Sequence, residues 1–407
     1  MRRREALSEL SAGARRKALI DWMRATTAAA LGMAPERVDL DRALADPGQL
    51  FVLIRPRALA DLELALYNYD LPFFTSLRAA AEHLARELAP APLPAAPMKK
   101  LYGGGVWAWG PVDRAFASRL DRPVVFILSA TRTGSTLLRV MLAGHPKLFV
   151  PPELHLLPFE GMGRRRLMVE KLGYPWMCRG LASALLDLGG LTPQQANAEV
   201  AGLERLDAPV RQVIGRLQDA ARPRVLVDKS PSTAQHPAWL GYAERAFQNA
   251  RYIHLVRHPA AAVESFVRMR FHRLLGRHWL VWDENPWLYG EKCWTSANLQ
   301  ILDFLRPVAA DRQIRVSYEE LVADPRLVAN DICRFLGIPF DEALLAPYSG
   351  QRHTEDVEGM GAAMGDPNFL THSEIDGSLA QRGMRSGAAL SFGEVTREVG
   401  TLLGFPL

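Results

Sequence analysis

PVVFILSATRTGSTLLRVMLAGH, running from Pro123 to His145, is the stretch from which the rest of the chain is read. An apolar run, Val124 to Leu128, gives way to Ser129-Ala130-Thr131-Arg132-Thr133-Gly134-Ser135-Thr136. Apolar residues then recur at Leu137, Leu138, Met141 and Leu142. The change of period predicts a strand, a loop and a helix buried against a sheet. Gly134 lets backbone come close to an anion, and the first helical N–H groups lack intrahelical partners. Arg132, Ser135 and Thr136 add a charge and two hydroxyls. Such a loop cradles a phosphate. The same residues also suit an ordinary strand-to-helix turn with a capping Ser or Thr, so a second motif has to decide.

That motif is RYIHLVRHPAAAVESFV, Arg251 to Val267. Tyr252 to Val256 reads as a buried strand, Arg257 stands at its end, and Pro259 occupies a first helical turn. Ser265 lies eight residues after Arg257. An arginine offers a two-pronged fork to a phosphate, and the helix brings a hydroxyl back to the same anion. A third strand, Arg224 to Val227, ends by presenting Asp228, Lys229 and Ser230. A lysine there points into the ligand crevice of an open parallel sheet.

The loop at Arg132 to Thr136 is not the GxxxxGK[ST] loop of nucleoside triphosphatases, since no lysine precedes Ser135. A nucleotide kinase is disfavoured on the same ground. The loop resembles the 5'-phosphosulfate loop of sulfotransferases that use 3'-phosphoadenosine 5'-phosphosulfate, and Arg257 with Ser265 resembles their 3'-phosphate site. From Pro123 to Leu407 the stretches PPELHLLPFE (Pro151–Glu160), DKSPS (Asp228–Ser232), RVSYEELVADP (Arg315–Pro325) and GDPNFLTHSEID (Gly365–Asp376) are similar to the sulfotransferase domains of polyketide assembly lines of the curacin and olefin-synthase type. The resemblance implies cofactor contacts at Arg132, Thr133, Gly134, Ser135, Thr136, Arg257 and Ser265. It also implies the 3-hydroxyl of an acyl chain on an acyl carrier protein as acceptor, with a free small molecule, sugar or lipid as the alternative.

In-line sulfuryl transfer needs a base for the acceptor hydroxyl and cations for the charge growing on the leaving oxygen. Arg132 and Lys229 are the candidate cations. Glu153 lies 21 residues after Arg132, the offset of the catalytic glutamate in the Golgi-type and tyrosylprotein relatives, and is preferred as base. His155 is the second candidate, since a histidine serves as general base in other branches of the family it resembles, although Leu154, Leu156 and Leu157 around it also suit a packed core histidine. Asp228 is expected to orient Lys229. No metal is required.

The chain has 407 residues, enough for a full α/β domain and a small one. Its net charge of +5 fits an anionic ligand and equally fits an arginine-rich protein. Cys178, Cys293 and Cys333 form no CxxC pattern, so neither a disulfide framework nor a zinc site is indicated. A reducing cytoplasm is the simplest setting, with no secretory segment, membrane span or nucleic-acid partner indicated.

Residues 1–89 read as a small helical domain, including Ala18–Leu31 and Leu77–Leu88. Residues 90–100 form a proline and alanine linker, and residues 101–407 form the transferase domain. LGMAPERVDLDRAL (Leu31–Leu44) and LPFFTSLRAAAEHLAREL (Leu71–Leu88) resemble the ends of an acyl or peptidyl carrier domain. No serine occurs between Ala12 and Thr75 to take a phosphopantetheine arm. A docking or structural role is then expected, and a non-catalytic docking protein with a retained nucleotide fold is the rival of another class. The basic triplet Arg164-Arg165-Arg166 is expected on a solvated helix face, and Asp341 to Arg385 as a lid in which Arg382 or Arg385 meets the nucleotide. The expected fold is α/β: a P-loop-like, mostly parallel sheet flanked by helices, preceded by the helical domain.

Overall fold

The computed structural model describes residues 3–64, 66, 68–90, 120–172, 175–275, 283–349, 369, 372–381, 390–405 and 407. Residues 91–100 of the expected 90–100 linker, and Arg382 and Arg385, fall outside them, as does most of the expected lid. Two compact units make up the chain: Met1–Leu93 together with Arg268–Leu274, and Pro94–Val267 together with Leu275–Leu407.

The first unit holds α1 (Arg3–Glu9), α2 (Ala12–Leu31), α3 (Pro47–Leu62) and α4 (Leu77–Glu87). Their ends follow local chemistry. Ser11, Asp46 and Ser76 each accept a hydrogen bond from a first-turn N–H, and Gly32 closes α2 in the left-handed conformation. Leu19, Met23, Ile54, Leu62, Phe74 and Leu84 fill the core. Segment Arg268–Leu274 completes the unit although it lies far along the sequence. Arg270 donates to both oxygens of Asp70 (2.7 and 3.1 Å) and pairs with Glu87 (2.8 Å), Asp70 also meets His83 Nε2 (2.7 Å), and Met269 packs on Leu59.

The second unit runs β1 (Val124–Ser129), α5 (Ser135–Ala143), β2 (Leu148–Phe149), α6 (Met162–Leu172), α7 (Arg179–Asp187), α8 (Pro193–Arg205), α9 (Val210–Ala221), β3 (Val225–Asp228), α10 (Pro237–Ala246), β4 (Arg251–Val256), α11 (Pro259–Arg268), α12 (Phe271–Leu275), α13 (Pro286–Leu305), β5 (Gln313–Ser317), α14 (Tyr318–Ala323), α15 (Pro325–Leu336) and α16 (Glu394–Leu402), with α11 and α12 crossing into the first unit at Arg268–Leu274. All strand pairs are parallel, in the order β2-β3-β1-β4-β5. Along β1 the side chains alternate between two cores: Val124, Phe126 and Leu128 enter the one containing Tyr252, Trp294 and Ile301. Val125 and Ile127 enter the one containing Leu138, Met141, Ile253 and Ile332. A strand buried on both faces reads as a continuous apolar run, which is why Val124–Leu128 does.

Because β3 and β4 both flank β1, the loops after Ser129, Asp228 and Val256 emerge side by side at the carboxyl edge of the sheet. The expected α/β sheet is present, and the front region is helical. The basic triplet departs from its expectation. Arg164 and Arg166 are exposed, but Arg165 is wholly buried against the chain that carries the site.

Candidate functional site

The loop after β1 holds two residues in the left-handed region, Arg132 (φ 65°) and Gly134 (φ 85°). At Gly134 there is no alternative to glycine: a Cβ would lie 2.2 Å from the Tyr318 ring. Gly134 stands at the N-cap of α5, and the hydroxyl of Thr133 donates inward to the Ala130 carbonyl (2.9 Å). The Thr133 hydroxyl is thereby engaged within the loop, and the residue is wholly buried. Ser135 and Thr136 open α5, where the first N–H groups have no intrahelical partner.

The second loop is knitted to the first. Arg257 donates from a terminal nitrogen to the Arg132 carbonyl (3.0 Å), and its guanidinium lies 4.3 Å from the Tyr318 ring centre, a cation–π distance. Trp294 Nε1 fixes the Arg257 carbonyl (3.0 Å). From α11, Ser265 Oγ accepts from Arg132 Nε (3.2 Å). Residues 133 positions apart thus meet, and Tyr318 floors both loops. Sequence reasoning missed Tyr318, whose signal was its place in the stretch Arg315–Pro325 that carries the resemblance. Arg257 Nε is buried with no hydrogen-bond partner among the described residues. A buried donor left unmatched costs about 1–3 kcal/mol, and an anion would relieve it. This donor set fits a nucleotide bearing phosphates at two positions.

The third group sits where the loops after β2 and β3 face each other. Lys229 Nζ pairs with Glu153 Oε1, and His155 Nε2 lies 2.9 Å from Glu153 Oε2. Lys229 is 1% exposed and the Glu153 side chain 12%. Burial by itself would raise the Glu153 carboxyl, but the Lys229 ammonium and His155 outweigh it and hold the group at about 2. His155 adopts a left-handed conformation (φ 48°). Its N–H donates to Ser230 Oγ (2.9 Å), its Nδ1 meets Ser232 Oγ (2.8 Å), and its carbonyl takes Arg165 Nε (3.4 Å). Arg165 also reaches the carbonyls of Leu154 and Met177, and Gly180 packs on the Glu153 carbonyl with no room for a side chain.

His155 is buried, as the packed-core reading expects, yet its polar atoms are engaged. Asp228 differs from expectation. It accepts from Ser230 (2.8 Å), whereas the ion pair of Lys229 is with Glu153. Burial pushes the Asp228 carboxyl up to about 6.

A family model described as "Sulfotransferase family" matches residues 123–342, more than half of the chain and all three loops. The chain belongs to the sulfotransferase family. Among solved structures, this sulfotransferase is similar to the sulfotransferase domain of the Synechococcus PCC 7002 olefin synthase. The identity is 43%, the TM-score is 0.65, and 72% of this chain and 98% of that one are covered. It is likewise similar to the sulfotransferase domain from the curacin biosynthetic pathway, at 42% identity and TM-score 0.66, covering 71% and 100%. Among curated proteins it is 26% identical to protein-tyrosine sulfotransferase 2 of Gallus gallus over 64% of this chain. The sulfotransferase spans 60% of that relative's length. Among its described residues no helix is long and apolar enough to cross a membrane.

Proposed function

We propose that this protein transfers a sulfuryl group from 3'-phosphoadenosine 5'-phosphosulfate to the 3-hydroxyl of an acyl chain held on an acyl carrier protein. The observation that carries the reading is the joining of two anion-binding loops through Arg132, Arg257 and Ser265, with a buried Arg257 donor left for a ligand. The acceptor rests on the 42–43% identity to two domains taken from an olefin synthase and the curacin pathway.

The bound donor supplies a sulfuryl group on a phosphate leaving group. The chain supplies the rest. Backbone N–H groups at the start of α5, with Ser135 and Thr136, hold the 5' side, and Arg257 and Ser265 hold the 3' side. Arg132 and Lys229 place positive charge where a departing phosphate oxygen becomes more negative. Glu153 is ionised at neutral pH, the state in which a general base takes the acceptor's proton. A carboxylate held at about 2 is a feeble base while Lys229 sits on it. Its basicity rises as another anion shares that ammonium.

Incubation with labelled donor and 3-hydroxyacyl carrier, 3-hydroxyacyl-pantetheine or a tyrosine peptide, followed by mass spectrometry, tests the reading. Sulfation of the first two is expected. Sulfation of the peptide alone would sink the acceptor assignment. Glu153→Gln is expected to keep nucleotide binding and lose about a hundredfold or more in turnover.

A further inference from the structure

The chain after β3 delivers Lys229, and at the second and fourth residues past the strand's end, Ser230 and Ser232, it also grips His155. Ser230 and Ser232 are both buried, with Pro231 between them opening a short 3-10 turn. Ser230 Oγ donates to Asp228 and accepts the His155 N–H, pinning a left-handed backbone that a non-glycine residue adopts only when its surroundings enforce it. That turn brings side chains two residues apart, Glu153 and His155, within 2.9 Å.

The proton positions follow from the partners. An ionised carboxylate accepts only, so the ring nitrogen facing Glu153 must carry its hydrogen. In a neutral ring Nδ1 is then the acceptor, and the Ser232 hydroxyl is placed at 2.8 Å to donate to it. Nε2 therefore has no lone pair to offer a substrate proton, and Nδ1 is turned inward to Ser232.

We propose that Ser232, supported by Ser230, is a positioning residue for sulfuryl transfer: its hydroxyl on His155 Nδ1 keeps Nε2–H donating to Glu153, which makes His155 a brace of the base and not a second base. This rests on Glu153 being the proton acceptor. The brace fixes one carboxylate oxygen while Lys229 holds the other, so Glu153 keeps one orientation before substrate arrives. Losing the hydroxyl leaves a buried ring nitrogen unmatched and frees the ring to turn.

The test uses the full chain at saturating donor with 3-hydroxyacyl-pantetheine. Ser232→Ala is expected to lower kcat about tenfold, the usual weight of one buried hydrogen bond. Its affinity for adenosine 3',5'-bisphosphate should stay within about twofold of wild type by calorimetry, and Ser232→Thr, which keeps the hydroxyl, should recover most of the loss. Wild-type kcat in Ser232→Ala, or equal damage in Ser232→Thr, overturns the proposal. If Glu153→Gln is inactive while Ser232→Ala is normal, only the serine assignment fails. If Glu153→Gln turns over normally, the base assignment fails and takes this one with it. Nitrogen-15 spectra of histidine-labelled wild type, with His155 identified by its loss in His155→Gln, need no acceptor. A protonated Nε2 is expected, and a bare Nε2 refutes the proposal.

Discussion

Removing Lys229 should cost the protein more than its charge. In Lys229→Met the Glu153 carboxylate keeps its burial but loses the ammonium that opposes it, so the group that now sits at about 2 should rise above its ordinary 4.5. Holding a carboxyl at about 2 rather than 4.5 corresponds to about 3 kcal/mol of interaction favouring the ionised form. Breaking one side of a buried pair typically costs about 3–5 kcal/mol, and Glu153→Gln should do comparable harm by stranding Lys229. The double variant Lys229→Met/Glu153→Gln leaves no orphan charge and should be far less destabilised than the two losses summed. Urea unfolding of the four proteins at pH 7 closes the cycle, with an expected coupling of at least about 3 kcal/mol, since the ammonium also offsets the burial that opposes it. Since the folded carboxyl titrates below its unfolded value, the coupling is fully present above pH 4.5. It fades as pH falls through about 2. A coupling below about 0.5 kcal/mol, the level at which independent sites add, would refute the argument.

Arg257→Ala should weaken adenosine 3',5'-bisphosphate binding by about 1.5–3 kcal/mol, the weight of a charged hydrogen bond. Adenosine 5'-phosphate binding should change little in the same calorimetric titration. Gly134→Ala adds a backbone penalty of about 1–2 kcal/mol for the left-handed region and drives a methyl group into Tyr318, so a lower melting temperature and lost nucleotide affinity are both expected. The first unit should gain no mass when incubated with coenzyme A and a promiscuous phosphopantetheinyl transferase. Intact-protein mass spectrometry would expose an arm if one attached.

The two loops after β1 and β4 were legible because each lies in one local stretch: β1, Gly134 and α5 in the first, β4, Arg257 and Ser265 in the second. The cluster at Glu153 was half legible. The carboxylate, the imidazole and Lys229 could be named, but their contact depends on β2 lying beside β3, which no local pattern encodes. Ser230 and Ser232 look like ordinary turn residues. Arg165 looks like one of three solvated arginines, and only the packing of α6 shows that its guanidinium holds the carbonyls behind Glu153. The segment Arg268–Leu274 gave no sign either, since the pattern of α11 runs on through the residue at which the chain changes unit.

That last feature bears on how the molecule comes into being. Arg270 meets Asp70 across 200 positions of sequence, so the helical unit made first cannot be finished until β1 to β4 have left the ribosome. Until then Asp70 and Glu87 have no arginine, and Leu59 waits for Met269. A nascent chain cut before residue 268 should therefore leave its front helices open to proteolysis, while one extended past residue 274 closes them. For the same reason, deleting residues 1–93 does not trim a bead from a string. It strands two arginines, Arg270 and Arg273, and an apolar Met269 in the segment just past the helix that carries Ser265.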